Sequence, residues 1–413
     1  MPRSPSGSGL SGRGGTGIGR VASRELMASR FFQGPAWAAI LALTVVFSVP
    51  ADLPRGGEGG IFAGSSAQAA PRKKSKKRRR ARGPIKPEIV DDAKRPAGDV
   101  LGAQMDSFFK SNRPLYASFV AIRPSTGELL TFSEYARDKG ARVRNPGLYT
   151  GFPAASVFKI VSTAALIEDA HVKPGLEVCY TGGSRQLTSA NLVDRKKERS
   201  CKTLTQAFAS STNAVFGKLA VKHLTADTLM EMASRFGFGR KITVSGHTST
   251  SKVRRPEGRL SLARMAAGFT GTNMSTLHGA VIGAIIANDG IWPPGVSLGG
   301  SGAGGVSMTV VKPETARELA RMMVRAVEHG TGSKHLASLK ASTGHSPAIK
   351  TGSLTSRDGS GIWNNWIVGF YPADKPEIAF AAHVGHQGGG YLKAGHIVRY
   401  ALDTWVALNK SRR

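Results

Sequence analysis

Phe152-Pro153-Ala154-Ala155-Ser156-Val157-Phe158-Lys159-Ile160-Val161 sets a serine and a lysine three residues apart at the head of an apolar run. The run continues through Ala164, Ala165, Leu166 and Ile167, so it reads as a buried helix beginning near Ser156. Residues i and i+3 share one helical face, which brings the Ser156 hydroxyl within reach of the Lys159 amine. A serine hydroxyl is a poor nucleophile until a neighbouring base takes its proton. Lys159 can be that base only if its pKa falls; burial against Phe158 and Ile160, with a second cation nearby, lowers it. At a helix N-terminus the backbone N–H groups point outward and can stabilise an oxyanion. Taken alone, the string also reads as a plain serine cap followed by a solvated lysine.

Two further strings change that balance. Ser211-Thr212-Asn213 falls between the helical patterns Leu204 to Ala209 and Ala214 to His223. Its serine can relay a proton between Lys159 and a leaving amine, and the Asn213 amide can hold both a lysine and a substrate carbonyl. Ala348-Ile349-Lys350-Thr351-Gly352-Ser353-Leu354 alternates like a strand with a glycine at its middle. The missing side chain lets a peptide lie along the strand edge and pair with its backbone. Lys350 supplies positive potential, the Thr351 and Ser353 hydroxyls suit a terminal carboxylate, and the Ser353 N–H is a second oxyanion donor. Separately these are a serine-rich helix junction and a hairpin strand; together they indicate acyl transfer on peptides that end in a carboxylate.

The order S-x-x-K, S-x-N, K-T-G resembles the transpeptidase domain of penicillin-binding proteins, most closely the high-molecular-mass class B type, within the serine D,D-peptidase and β-lactamase superfamily. Thr205 to Asn213, Ser275 to Gly290 and Trp366-Ile367-Val368-Gly369-Phe370-Tyr371-Pro372 are similar to further family stretches, so the likeness covers residues 98 to 409. The resemblance implies acylation of Ser156 by the D-alanyl-D-alanine end of a peptidoglycan stem peptide, then transfer to an amine or to water. It implies Ser156, Lys159, Ser211, Asn213 and Lys350 as catalytic residues, with Thr351, Gly352 and Ser353 binding substrate. Peptidoglycan stem peptides and β-lactams are the implied partners, and no cofactor or metal is implied. The variants on the same fold are a D,D-carboxypeptidase and a β-lactamase-like hydrolase. The second is disfavoured: Glu257, in Arg-Pro-Glu-Gly-Arg, lacks the asparagine partner of a class A deacylation site, and Asn213 stands where class D enzymes carry an apolar residue.

The formal charge is +30, and Arg72 to Arg82 is a polybasic run without an acid. Such a run attracts polyanions. Residues 36 to 49 form an apolar stretch behind an acid-poor, arginine-bearing leader, short for a spanning helix and suited to export. The expected organisation is a disordered basic leader (1–30), a signal sequence or membrane anchor (31–51), a flexible linker holding the polybasic run (52–97) and the transpeptidase domain (98–413). That places the protein in the periplasm or on the outer face of the cytoplasmic membrane. The partners expected for residues 72–82 are anionic envelope polymers or lipids, an envelope-binding scaffold being the non-enzymatic alternative; nucleic acid is not expected. Cys179 and Cys201 are the only cysteines, and an even count in an exported chain favours a disulfide over two free thiols.

The expected fold is α+β. Short alternating runs at Ser118 to Ile122 and Glu128 to Glu134, joined by Pro124-Ser125-Thr126-Gly127, make a hairpin. Three more strands are expected at Ala348 to Leu354, Asn364 to Phe370 and Glu377 to Val384, completing a mainly antiparallel five-stranded sheet flanked by helices. A last helix presenting Ile397, Ala401, Trp405 and Leu408 packs on it. Helices between residues 203 and 290 form an all-helical subdomain, with the active site in the cleft between the two parts. A glycine-rich segment at 299–305 reads as a flexible insertion, and His383-x-x-His386 lacks the further ligands of a metal site.

Overall fold

The computed structural model describes residues 99–138, 142–184, 186–299, 308–388 and 390–410. The expectations for residues 1–97, and for all of the 299–305 segment but its first glycine, lie outside the described residues. Among the described residues no helix is long and apolar enough to cross a membrane.

The chain opens with α1 (Val100–Asn112), capped by Asp99, whose carboxylate accepts from the Gly102 N–H at 2.6 Å. β1 (Tyr116–Ile122) and β2 (Leu129–Ala136) form the expected hairpin. A 3-10 turn over Ala155–Phe158 leads into α2 (Lys159–Glu168). A second hairpin, β3 (Glu177–Tyr180) and β4 (Ser200–Thr203), sets Cys179 opposite Cys201. Helices α3 (Leu204–Ala209), α4 (Asn213–His223), α5 (Ala226–Arg235) and α6 (Gly258–Ala266) make the helical region. Short strands β5 (Ile242–Val244), β6 (His247–Ser249), β7 (Lys252–Val253), β8 (Thr272–Asn273) and β9 (Val296–Leu298) build two small sheets among them. The chain ends with α7 (Thr276–Ala287), α8 (Pro313–Glu328), α9 (Ser333–Thr343), β10 (Ala348–Thr355), β11 (Trp363–Tyr371), β12 (Ile378–His386) and α10 (Ala394–Lys410).

The main sheet runs β10-β11-β12-β1-β2, every neighbouring pair antiparallel. β1 and β12 are buried along their whole length because helices cover both faces. Alternate residues of β1 serve different cores: Tyr116, Val120 and Ile122 face the larger one, whereas Ala117, Phe119 and Ala121 pack with α1 and α10. α10 contributes Ile397, Val398, Ala401 and Leu402 to that second core, with Trp405, Val406 and Leu408 partly buried beside them. Among the described residues β10 lies at the sheet edge and pairs with β11 on one side only, the kind of edge that can accept an added strand.

Two details depart from the sequence expectation. α7 belongs to the sheet layer, not to the helical subdomain. It is apolar all round and wholly buried up to Ile286, as a helix sandwiched between layers must be. Its glycines allow the approach: a Cβ on Gly283 would lie 2.6 Å from the Gly369 carbonyl oxygen in β11. Ser118 of β1 and Thr276 of α7 also share a buried hydrogen bond of 2.6 Å. Second, Ser156 lies in the 3-10 turn before α2, not in an α-helix, and Ala155 ahead of it takes a left-handed φ of 51°.

Candidate active site

Ser156 is half-buried, and its Oγ accepts from Lys159 Nζ at 2.8 Å. Lys159 is fully buried, and its Nζ also donates to Asn213 Oδ1 and to the Ala267 carbonyl, both at 2.7 Å. Phe216 closes the pocket with its ring centroid 5.3 Å from Nζ. Burial holds the Lys159 pKa well below its ordinary value, and the charge of Lys350 lowers it further. These contacts fix the direction of proton transfer. An ammonium spends three donors on the three oxygens; a neutral amine has two hydrogens and a lone pair. Amide and carbonyl oxygens only accept, so in the neutral form the lone pair faces the one partner able to donate, the Ser156 hydroxyl.

Lys350, on β10, is the second fully buried amine; its Nζ donates to Ser211 Oγ at 3.0 Å and to the Thr351 carbonyl at 2.9 Å. Desolvation brings its pKa down to about 7. From the sequence, the Ser211 hydroxyl is expected beside Lys159. Instead Asn213 holds Lys159 while Ser211 bonds to Lys350, because Ser211 takes a left-handed φ of 56° that swings its side chain away from its neighbours. Asn213 Nδ2 donates to the Ser184 carbonyl at 2.7 Å. The Ser211–Asn213 turn thus joins both lysines into one network.

Gly352 also has a packing role that the sequence does not show. Its missing side chain faces the nucleophile turn: a Cβ there would lie 3.1 Å from the Val157 nitrogen and 3.2 Å from both Ser156 N and Ala155 Cβ. β10 therefore packs directly on the Ser156 turn. The flanking hydroxyls line the strand: Thr351 bonds to Thr331 Oγ1 at 2.5 Å, and exposed Ser353 accepts from Asn365 Nδ2 at 2.7 Å. Ser156, Ser184, Asn213, Gly268, Ser353 and Trp363 are among the residues lining a cleft of about 450 Å3. Thr331, Asn365, Ser184, Trp363 and the Ala267 carbonyl went unnoticed in the sequence, where nothing distinguishes them from ordinary loop and strand residues. His383 and His386 do not converge: His383 Nε2 contacts Asn364 Oδ1 at 3.0 Å, and His386 Nε2 contacts the Leu392 carbonyl at 2.8 Å.

A serine–lysine turn packed under the edge strand of a five-stranded antiparallel sheet is the arrangement expected of the family that the three motifs resemble. The family model described as the penicillin binding protein transpeptidase domain matches residues 117–403, so the chain belongs to that family. It is 27% identical over 328 residues to the peptidoglycan D,D-transpeptidase PbpA of Mycolicibacterium smegmatis, covering 68% of this chain and 64% of that protein. It is 24% identical over 338 residues to the stage V sporulation protein D of Bacillus subtilis, covering 73% of this chain and 51% of that protein. The chain thus spans less than two thirds of the length of either relative. Among solved structures it is similar to the apo transpeptidase domain of Burkholderia pseudomallei penicillin-binding protein 3, with a TM-score of 0.60, 21% identity and coverage of 75% of this chain and 93% of that one. The ceftriaxone acyl-enzyme complex of penicillin-binding protein A from M. tuberculosis gives a TM-score of 0.57 at 21% identity, covering 73% and 77% respectively.

Proposed function

We propose that this chain is a penicillin-binding serine D,D-transpeptidase that crosslinks peptidoglycan stem peptides through a Ser156 acyl-enzyme. The observation that carries the reading is the 2.8 Å contact between Ser156 Oγ and a fully buried Lys159 whose pKa is depressed. Neutral Lys159 takes the Ser156 proton as Oγ attacks the carbonyl of the penultimate residue. The tetrahedral oxyanion is received by the Ser156 and Ser353 N–H groups. Thr351 and Ser353 take the terminal carboxylate beside Lys350. Ser211 gives its hydroxyl proton to the departing amine and is resupplied by Lys350, whose pKa is about 7. An amine of a second stem peptide then attacks the ester and gives up a proton to the Ser211–Lys350 pair, while Lys159 returns its proton to Ser156 Oγ as the ester bond breaks. The residues lining the described cleft are apolar or carry hydroxyl and amide groups. That lining favours an amine acceptor over water activated by a carboxylate. β-Lactams, which imitate the substrate terminus, would acylate the same serine; the M. tuberculosis relative forms such an acyl-enzyme with ceftriaxone.

The same reading carries the remaining expectations. A wall substrate requires export, so residues 31–51 serve as signal or anchor and the domain works on the outer face of the cytoplasmic membrane or in the periplasm. An oxidising compartment suits a bond between Cys179 and Cys201, which face each other across β3 and β4. The run at 72–82 suits anionic envelope polymers or lipids.

Fluorescent penicillin should label the wild-type chain and spare Ser156→Ala. Mass spectrometry of muropeptides after incubation should then show crosslinked dimers. Labelling that survives the substitution removes the acyl-enzyme, and trimmed monomers alone would make the enzyme a carboxypeptidase.

A further inference from the structure

Behind the cleft, one lysine reaches the second motif from outside. Lys202, on β4, donates from Nζ to Ser210 Oγ at 2.7 Å and to Thr212 Oγ1 at 3.0 Å. Those hydroxyls flank Ser211 and bond to each other at 2.9 Å. Ser211 between them is left-handed, a conformation that costs a residue bearing a Cβ about 1–2 kcal/mol and persists only where its surroundings impose it. The loop of the same hairpin reaches the other end of the turn, where the Ser184 carbonyl accepts from Asn213 Nδ2 at 2.7 Å. Gly183, at φ 75°, lets the loop lie on the first turn of α4: a Cβ there would come within 2.9 Å of Ala214 Cβ.

We propose that Lys202 is a positioning residue for acyl transfer, and that the β3–β4 hairpin clamps the Ser210–Asn213 turn from both ends. The inference rests on the serine acyl-transfer reading of the site. Lys202 touches no reacting atom; it acts through the turn that holds Asn213 Oδ1 on Lys159 and Ser211 Oγ on Lys350. Ser156, Asn213, the Ala267 carbonyl and the Phe216 ring surround Lys159, and Lys350 is the charged group acting on it. Loosening the turn withdraws one of the three oxygens and admits water to a dry amine. Rehydration raises the pKa of a buried lysine, so less of it is in the basic form at a given pH. Lys202 pairs with Val178 and follows Cys201, which lies opposite Cys179, so the strand register fixes where its side chain leaves the hairpin.

The test follows acylation of the full chain by fluorescent penicillin from about pH 5.5 to 9.5, beside thermal unfolding. Lys202→Met keeps the aliphatic stem but loses the donors. It should slow acylation by roughly 10- to 100-fold, the scale of lost supporting contacts, and move the acid limb of the rate profile to higher pH. Lys202→Arg, which keeps donors for both hydroxyls, should recover most of the rate. Gly183→Ala, at the opposite end of the clamp, should displace the same limb. Wild-type rates and limbs in Lys202→Met and Gly183→Ala overturn the proposal, as does a loss that follows unfolding with the limb unmoved. Labelling of Ser156→Ala would instead remove the underlying acyl-enzyme reading, so the two failures are distinct.

Discussion

Lys159 and Lys350 are buried in one site, and the charge on Lys350 is the second cause, after desolvation, of the depressed Lys159 pKa. Two like charges held out of water oppose folding, so the site stores a stability cost that the reaction uses. The cost has a pH window. Folded Lys350 has a pKa of about 7, against an ordinary value of 10.5. Between those values the unfolded chain binds the extra proton, so stability rises with pH; below the lower value both states are protonated and the full penalty applies. Lys350→Met should therefore be more stable than wild type by roughly 1–4 kcal/mol near neutral pH and below. The advantage should shrink as pH climbs toward 10.5, while acylation is lost. Urea unfolding of both proteins at a mildly acidic and an alkaline pH measures this; a variant less stable than wild type at both would refute it.

Gly352 is a point of close packing between β10 and the nucleophile turn. A Cβ on Gly352 would lie 3.1–3.2 Å from Val157 N, Ser156 N and Ala155 Cβ, so a methyl group fits only if the turn or β10 shifts by a few tenths of an ångström. Gly352→Ala should cost stability by about 1–3 kcal/mol, the usual range for overpacking. Acylation should suffer more, on the order of 100-fold, because the displaced backbone carries the nucleophile and an oxyanion donor. Comparing the unfolding midpoint with the labelling rate separates the two effects. Equal acylation in the variant would show that β10 yields instead of the turn.

Thr331 sits in the loop between α8 and α9, where its N–H donates to the Ala209 carbonyl at 3.1 Å and its hydroxyl meets Thr351 Oγ1. It orients the hydroxyl proposed to take the substrate carboxylate and ties it to the end of α3. Thr331→Val keeps the shape and removes the hydroxyl. The expected loss is roughly tenfold, the equivalent of one neutral hydrogen bond, and it should appear in the affinity for penicillin, not in the limiting acylation rate. A fall confined to the limiting rate would place Thr331 in proton transfer.

The main sheet was legible because its strands are short apolar runs separated by turn chemistry: Pro124 to Gly127 on one side, Arg357 to Gly361 on the other. The three motifs were legible because their chemistry requires rare combinations, and the structure gathers Ser156, Lys159, Ser211, Asn213 and Lys350 around one network. Helix α8 was not delimited from the sequence, although Pro313 opens it and Thr315, Ala316, Leu319, Met322, Met323, Ala326 and Val327 line its buried face. The arginines and glutamates between them fall on the opposite face, so the stripe was legible at helical spacing even though no helix was placed there. Lys202 and Thr331 were invisible for a different reason. Each acts across 8 to 20 residues of chain on a partner that only folding brings near.

His383 gives the last prediction. Its ring lies among Phe152 and Trp366, at centroid distances of 4.1 and 4.2 Å, and burial depresses its pKa to about 3. An unfolded histidine titrates near 6.5, so below that value the unfolded chain takes up a proton the folded one refuses, and stability falls as pH drops. By pH 4 the difference amounts to roughly 3 kcal/mol for this one side chain. His383→Phe fits the aromatic stack but strands Asn364 Oδ1, at a cost of about 1–3 kcal/mol. The variant should thus be less stable than wild type near pH 7.5 and lose stability more slowly on acidification. The curves of unfolding free energy against pH should converge toward about pH 4, and parallel curves would mean that His383 is protonated in the folded protein.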